Sequence, residues 1–71
     1  MSTESLRQRF GRNTAKFRNR SGITQERLAE LVDVSVITIS NIERGTQGPR
    51  FDLIESIAKS LSIDPSELFT P

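Results

Sequence analysis

The sequence contains no cysteine and no histidine. The absence of cysteine excludes disulfides and thiolate metal sites, and the absence of histidine removes the usual general base and the commonest metal ligand. No apolar run approaches the roughly 20 residues that span a membrane, and the polar N-terminus does not have the pattern of a signal peptide. We therefore expect a cytoplasmic protein with no cofactor, which is neither an enzyme nor a membrane protein.

The charges of the 71-residue chain nearly cancel, at a net charge of +1, but they are unevenly distributed. Residues 51–71 carry Lys59 against four acidic side chains, whereas residues 1–23 carry Glu4 against six basic ones, namely Arg7, Arg9, Arg12, Lys16, Arg18 and Arg20. A basic end suits a polyanionic partner such as a nucleic acid. A solvated helix face would have the same composition, so the charge pattern alone leaves both interpretations open.

Apolar residues recur at helical spacing, and the length suits a single domain, residues 1–71. In the first helix, Leu6, Phe10 and Phe17 fall on one stripe. The residues from Asp64 to Glu67 have the pattern of a capping box. Caps and glycine stops together predict an all-α fold, a compact bundle of five helices near residues 3–20, 24–31, 35–44, 50–60 and 64–69.

Residues 24–43 are predicted to form a helix-turn-helix, because only residues 32–34 join the second helix to the third. The run 36–39 is entirely β-branched and favours a strand on propensity alone. The N-cap at Ser35 and the stop at Gly45 favour a helix. In such a motif the second helix enters the major groove of DNA and the first braces it. An ordinary helical hairpin in a bundle would have the same spacing.

Three segments in this region have a characteristic combination of residues: Ile23-Thr24-Gln25-Glu26-Arg27-Leu28-Ala29, Ser35-Val36-Ile37-Thr38-Ile39-Ser40, and Ile42-Glu43-Arg44-Gly45 followed by Pro49. They resemble the Cro and phage-repressor family, also called Xre-like, and the similarity covers about residues 9–69. The resemblance implies a phage-repressor type of DNA-binding domain in a homodimeric transcriptional regulator that binds double-stranded DNA. Small phage repressors and restriction–modification controller proteins are of this kind. No small-molecule ligand is expected, because the chain leaves no room for an effector domain.

The resemblance also implies roles for individual residues. Four matching positions face base edges: Ser35, Val36, Ile37 and Asn41. Gln25, at the start of the second helix, matches a phosphate contact, although it could serve only as a helix former. The other residues expected near phosphate are Ser40, Arg44 and Arg50, the last of which stands where the family often has a helix-capping residue. Arg18 and Glu43 match a structural ion pair.

Two further departures from the family pattern affect the expected geometry and readout. Asp33 stands where glycine is frequent, and aspartate tolerates a left-handed backbone better than most residues. Val36 and Ile37 stand where Gln or Arg is frequent, and in a groove they would contact thymine methyl groups. The alternative is burial in the core. Because Ile39 and Ile42 already occupy the inward face, helical phase favours groove contact for at least one of the pair.

The last part of the chain has more apolar residues than a short helix can bury: Leu61, Ile63, Leu68 and Phe69. Two copies packed through the fourth and fifth helices would bury them and set two recognition helices about 34 Å apart, one turn of DNA. Alternatively, these residues only cap the monomer core. A different class of function, a protein-interaction module such as an antitoxin, can use the same fold. A toxin-binding tail would then be expected, whereas the sequence ends two residues after the last predicted helix.

Overall fold

The computed structural model describes residues 3–71, and the regular structure within them is entirely helical. Helix α1 spans Leu6–Arg20, α2 spans Gln25–Val32, α3 spans Val36–Glu43 and α4 spans Phe51–Ser60, and a 3-10 helix, Pro65–Phe69, follows. The expected all-α fold and the order of its elements are confirmed. Within the same residues, no helix is both long enough and apolar enough to cross a membrane.

The prediction of five α-helices is wrong, because residues 3–71 contain four, and the last predicted helix is a 3-10 helix. Its start is as predicted, since Asp64 and Glu67 form a capping box. After this capped start, the side chain of Asn13 in α1 contacts the end of the segment. Its Nδ2 donates to the carbonyls of Leu68 at 3.1 Å and Thr70 at 2.8 Å. The end of the chain is therefore held by a side chain of α1 and not by further helical hydrogen bonds.

Capping side chains set the starts of the first three helices. Helix α1 begins at Leu6, later than predicted, because Ser5 caps it. The Ser5 hydroxyl accepts from the Gln8 backbone N–H at 3.2 Å, and the Gln8 side chain accepts from the Ser5 N–H at 2.8 Å. Thr24 and Ser35 cap α2 and α3 as predicted. In α3 these local signals outweigh the strand propensity of its β-branched residues.

The turns on either side of α3 depend on two residues in the left-handed region. Asp33 ends α2 with φ 58° and ψ 49°, as its tolerance of that conformation predicts. Gly45 follows α3 with φ 78°. Its N–H donates to the Ile42 carbonyl at 3.0 Å, and the N–H of Thr46 donates to the Asn41 carbonyl at 3.0 Å. This pair of bonds is a Schellman motif, which reverses the chain directly after the helix.

One hydrophobic core unites the helices and the 3-10 helix. Leu6 was expected on the buried stripe of α1 but is exposed, because it lies one turn before Phe10, where the core begins. Each of the four α-helices contributes to the core, whose buried apolar members are Phe10, Leu28, Ala29, Val32, Ile39, Ile42, Leu53, Ile57, Ala58, Leu61 and Leu68. The core thereby fixes α3 from its inner face and leaves the outer face accessible.

Candidate nucleic-acid interface

Helix α3 presents apolar side chains on both of its faces. Ile39 and Ile42 are fully buried, whereas Val36 and Ile37 are 38% and 68% exposed. Core burial, one of the two alternatives for this apolar pair, does not describe either residue. Ser35 is also exposed, and its hydroxyl accepts the backbone N–H that caps the helix at 3.1 Å. The first turn of α3 therefore offers mainly hydrocarbon to a partner.

Glu43, the last residue of α3, links three helices. Its carboxylate receives two hydrogen bonds from the Arg18 guanidinium, from Nε at 2.7 Å and from Nη2 at 3.0 Å. The other terminal nitrogen of Arg18, Nη1, donates to the Ile23 carbonyl at 2.9 Å. The side chains of the pair are only 12% and 7% exposed. Hydrogen bonding to Glu43 raises the pKa of Arg18 against the opposing effect of burial, so the guanidinium stays protonated.

Gln25, the first residue of α2, is the third group on this carboxylate. Its Nε2 donates to Glu43 Oε1 at 2.9 Å, and the residue remains half-buried. A primary amide has two N–H donors, so this bond leaves one donor and the carbonyl oxygen for another partner. The structure therefore places Gln25 at the positive end of α2, held in position by the same residue that holds Arg18.

Polar side chains gather where α3 ends. Asn41 is half-buried, and its amide lies between Arg44, which donates to Oδ1, and Gln47, whose Oε1 accepts from Nδ2 at 3.4 Å. Ser40 is half-buried beside them, and Arg44 is exposed. Asn41 is the residue expected to contact a base, and Arg44 is expected to contact phosphate. In the structure the two side chains are hydrogen-bonded to each other.

Arg50 lies at the N-cap of α4 and its side chain caps no backbone group among residues 3–71. The side chain is 84% exposed, and its nearest carboxylate, that of Asp52, is 3.7 Å away. An exposed pair of that length restrains the arginine little. A groove beside it is lined by Val34, Thr38, Gln47, Gly48, Pro49, Arg50 and Leu53. Arg50 therefore lies at the edge of a groove that Thr38 of α3 also lines.

Comparison with known sequences agrees with this arrangement of helices. A helix-turn-helix family model matches residues 15–68, most of the chain. The chain belongs to this helix-turn-helix family. It is 39% identical over 67 residues to Control protein C.BamHI of Bacillus amyloliquefaciens, an alignment that covers 93% of this chain and 83% of that protein. It is 37% identical over 60 residues to a competence pilus inhibition repressor of Acinetobacter baylyi, covering 84% of this chain and 54% of the repressor.

Solved structures support the same assignment. The restriction-modification controller protein C.AhdI from Aeromonas hydrophila superimposes with a TM-score of 0.84 at 32% identity, over 89% of this chain and 96% of that one. A hypothetical transcription factor, NHTF, from Neisseria gives a TM-score of 0.90 at 27% identity, over 100% of this chain and 82% of that one. The resemblance to the Xre-like family is confirmed, and by family the chain is a helix-turn-helix protein of the type found in transcriptional regulators.

Of the four residues expected at a dimer interface of this helix-turn-helix protein, two are buried in the structure and two are partly exposed. Leu61 and Leu68 are buried in the core of the chain itself, so they offer no surface to a partner, and the expectation must be corrected for both. Ile63 and Phe69 are only half-buried against the core. The surface expected for a second copy is reduced to these two.

Two residues of the helix-turn-helix protein were missed in the sequence. Phe51, the first residue of α4, is 86% exposed. Its helical phase, away from the buried positions Leu53 and Ile57, was the available signal. Asn13 is fully buried and anchors the end of the chain, but an isolated asparagine in an amphipathic helix gives no signal of a contact across more than fifty residues.

Proposed function

We propose that this helix-turn-helix protein is a sequence-specific regulator of transcription that binds double-stranded DNA as a homodimer, with α3 in the major groove. The observation that carries the proposal is the outer face of α3. Its inner residues Ile39 and Ile42 fix the helix to the core, while Val36 and Ile37 extend outward from its first turn. A short, rigid helix that projects its N-terminal side chains is the form that reads base edges.

Base readout is assigned to Ser35, Val36, Ile37 and Asn41. Valine and isoleucine have no hydrogen-bonding groups, so their contribution is contact with the methyl group of thymine. Asparagine can form a paired hydrogen bond with adenine through its amide. The expected site is therefore rich in A·T pairs where α3 enters the groove.

Phosphate contact is assigned to Gln25, Ser40 and Arg50. The free amide donor of Gln25 adds to the unpaired backbone N–H groups at the N-terminus of α2, where the helix dipole favours an anion. Arg50 adds an exposed, weakly paired guanidinium at the end of the loop that follows α3. Such contacts set the position of α3 on the duplex and carry no sequence information.

The homodimer is assigned to the outer face of α4, where Phe51, Glu55 and Lys59 recur at four-residue spacing and so share one side of the helix. Beside them is a groove lined by Glu55, Ser56, Ala58, Lys59, Ile63 and Pro65. In a two-fold interface, a residue that contacts a second residue is contacted by it in turn. Two antiparallel copies of α4 centred at residue 57 pair Glu55 with Lys59 of the other copy and set each exposed Phe51 near the C-terminal end of the other α4.

The test is selection of bound sequences from a random DNA pool, followed by mobility shifts with the selected site at several salt concentrations. We expect tighter binding to the selected site than to random DNA, and a steep fall of log affinity with log salt because basic side chains displace counterions. Binding that never exceeds the binding to random DNA would refute the proposal.

A further inference from the structure

The amide of Asn41 is held at both ends by neighbouring side chains. Arg44 Nη2 donates to Asn41 Oδ1, and Asn41 Nδ2 donates to Gln47 Oε1 at 3.4 Å. Both neighbours are exposed, whereas Asn41 is half-buried. The three side chains form a chain of hydrogen bonds across the end of α3, at the edge of its proposed groove face.

The backbone brings these three residues together. Arg44 lies three positions after Asn41, on the same side of the helix. Gly45 then reverses the chain, and both the N–H and the hydroxyl of Thr46 donate to the Asn41 carbonyl, at 3.0 Å and 3.1 Å. Gln47 consequently returns alongside Asn41. The arrangement thus follows from the Schellman turn.

The hydrogen-bonding groups of Arg44 restrict how the Asn41 amide can be oriented. The guanidinium has N–H donors and no acceptor, whereas an asparagine amide has an acceptor oxygen at one end and donors at the other. Only the orientation with Oδ1 toward Arg44 forms the hydrogen bond, and a rotation by half a turn would place N–H groups against N–H groups. Arg44 therefore determines which end of the Asn41 amide faces which way.

The fixed amide keeps the groups that a base requires. Oδ1 retains a second lone pair and Nδ2 a second hydrogen. Adenine presents an N–H donor and the N7 acceptor side by side in the major groove. An amide held in one orientation meets this pair without loss of side-chain freedom on binding, which improves affinity for the matching base.

We propose that Arg44 is a specificity-determining positioning residue, which fixes the orientation in which Asn41 reads its base, with Gln47 supporting the donor end. The inference rests on the proposed function, because it takes Asn41 as a base-reading residue. It replaces the phosphate contact that the family resemblance implied for Arg44. The basic side chain at this position then sets base preference more than overall affinity.

The first experiment is done without DNA. The χ1 and χ2 angles of Asn41 are measured by NMR, from side-chain couplings and amide-to-Hβ NOEs, in the unmodified protein and in Arg44→Gln and Arg44→Lys. We expect one orientation in the unmodified protein and in Arg44→Lys, because lysine is also only a donor, and averaging in Arg44→Gln, because glutamine can donate or accept. Equal averaging in all three proteins overturns the inference.

The second experiment uses the selected DNA site and a panel of single-base changes. Arg44→Gln should reduce discrimination at the base pair read by Asn41 by about tenfold, within the range of one bidentate contact, and leave the salt slope nearly unchanged. In an Asn41→Ala background it should cause no further loss of discrimination. Arg50→Gln is the matched control, for which uniform weakening and a salt slope smaller by about 1 are expected.

The outcomes separate this inference from the proposed function. Uniform weakening by Arg44→Gln, additive with Asn41→Ala and accompanied by a smaller salt slope, would show a phosphate contact and overturn the inference while the proposed function stands. An unaltered base preference in Asn41→Ala would also overturn it. If the pool yields no preferred site, the proposed function fails, and the NMR measurement still decides whether Arg44 orients Asn41.

Discussion

Gly11 lies directly against the carbonyl oxygen of Ile42, so that a β-carbon at position 11 would be 2.0 Å from that oxygen and 2.9 Å from the carbonyl oxygen of Glu43. The backbones of α1 and α3 are therefore in contact at this point. The contact lies at the end of α3 where Glu43 receives Arg18 and Gln25. The absence of a side chain at Gly11 is thus a condition for the position of the proposed recognition helix.

We expect Gly11→Ala to destabilise the protein by about 1–3 kcal/mol, the range for overpacking a close contact. The direction of the stability change distinguishes a close helix contact from an ordinary glycine in a helix, because Gly→Ala inside an exposed stretch of helix stabilises the protein by roughly 0.5–1 kcal/mol. Urea denaturation measures the difference. Gly48→Ala is the control, since a β-carbon there meets no atom of residues 3–71 within 4 Å beyond position 48 itself and its two chain neighbours, and its effect should be small. Equal or greater stability of Gly11→Ala would show that the helices separate easily.

Glu43→Ala should lower the melting temperature substantially. It leaves the Arg18 guanidinium, whose side chain is 12% exposed, without its carboxylate and removes the acceptor of Gln25. Breaking a buried pair costs about 3–5 kcal/mol, and the residual exposure places the expected loss at the lower end. Glu30→Ala is the matched control, because the Arg27–Glu30 pair is 57% and 71% exposed and should contribute less than about 1 kcal/mol. Equal melting curves for the two variants would contradict the role given to Glu43.

Local rules account for the parts of the fold that were predicted from the sequence. The caps at Thr24 and Ser35 and the left-handed residues Asp33 and Gly45 each act over a few positions, so the boundaries of α2 and α3 and the turn between them follow from neighbouring residues. The outward phase of Ile37 is predictable for the same reason, since helical periodicity assigns it once the buried positions are known.

Contacts between distant parts of the chain account for what was not predicted. The last segment packs against α1, and the amide of Asn13 donates to the carbonyls of Leu68 and Thr70 there. No periodicity encodes such a contact. The bond between Asn41 and Gln47 is similar, because it exists only once Gly45 has reversed the chain.

Asn41→Ala and Gln25→Ala should have different effects on DNA binding. Loss of the Asn41 amide should relax the preference at particular base pairs, by about 1–3 kcal/mol each. Loss of the Gln25 amide should weaken all sequences nearly equally, because phosphates carry no sequence information. Each variant is measured against single-base changes in the selected site. If Gln25→Ala reshapes the preference and Asn41→Ala lowers affinity uniformly, the two roles are wrongly assigned.

Val36→Ala and Ile37→Ala test the apolar readout. Replacing a contacted thymine by uracil removes only the methyl group, so the unmodified protein should lose affinity at that base pair. At least one of the two variants should bind the thymine and uracil forms almost equally. Leu31→Ala is the control, because Leu31 is an exposed apolar residue of α2 and should leave the difference intact. Full thymine preference in both variants would exclude methyl contact by this pair.

Phe51→Ser should shift the protein from dimer toward monomer and leave the single chain folded, because the ring is 86% exposed in the single chain and contributes little to its core. Any fall in melting temperature should come from the lost dimer and so depend on protein concentration. Light scattering and sedimentation equilibrium measure the change, and Leu6→Ser, an exposed apolar residue of α1, is the control that should leave the dimer intact.

The charges of the proposed α4 interface give a sharper form of the same test. Glu55→Lys alone should weaken the dimer, because it opposes two lysines across the two-fold axis, and Lys59→Glu should do the same with two carboxylates. The double variant restores one attractive pair on each side of the axis, so it should regain dimerisation and the cooperative binding of two half-sites. Exposed pairs of this type contribute about 0.2–1 kcal/mol, which makes the recovery measurable at low salt and small at high salt. Recovery that is absent at low salt would show that α4 does not pair in this register, and a monomer both free and on DNA would reject the dimer itself.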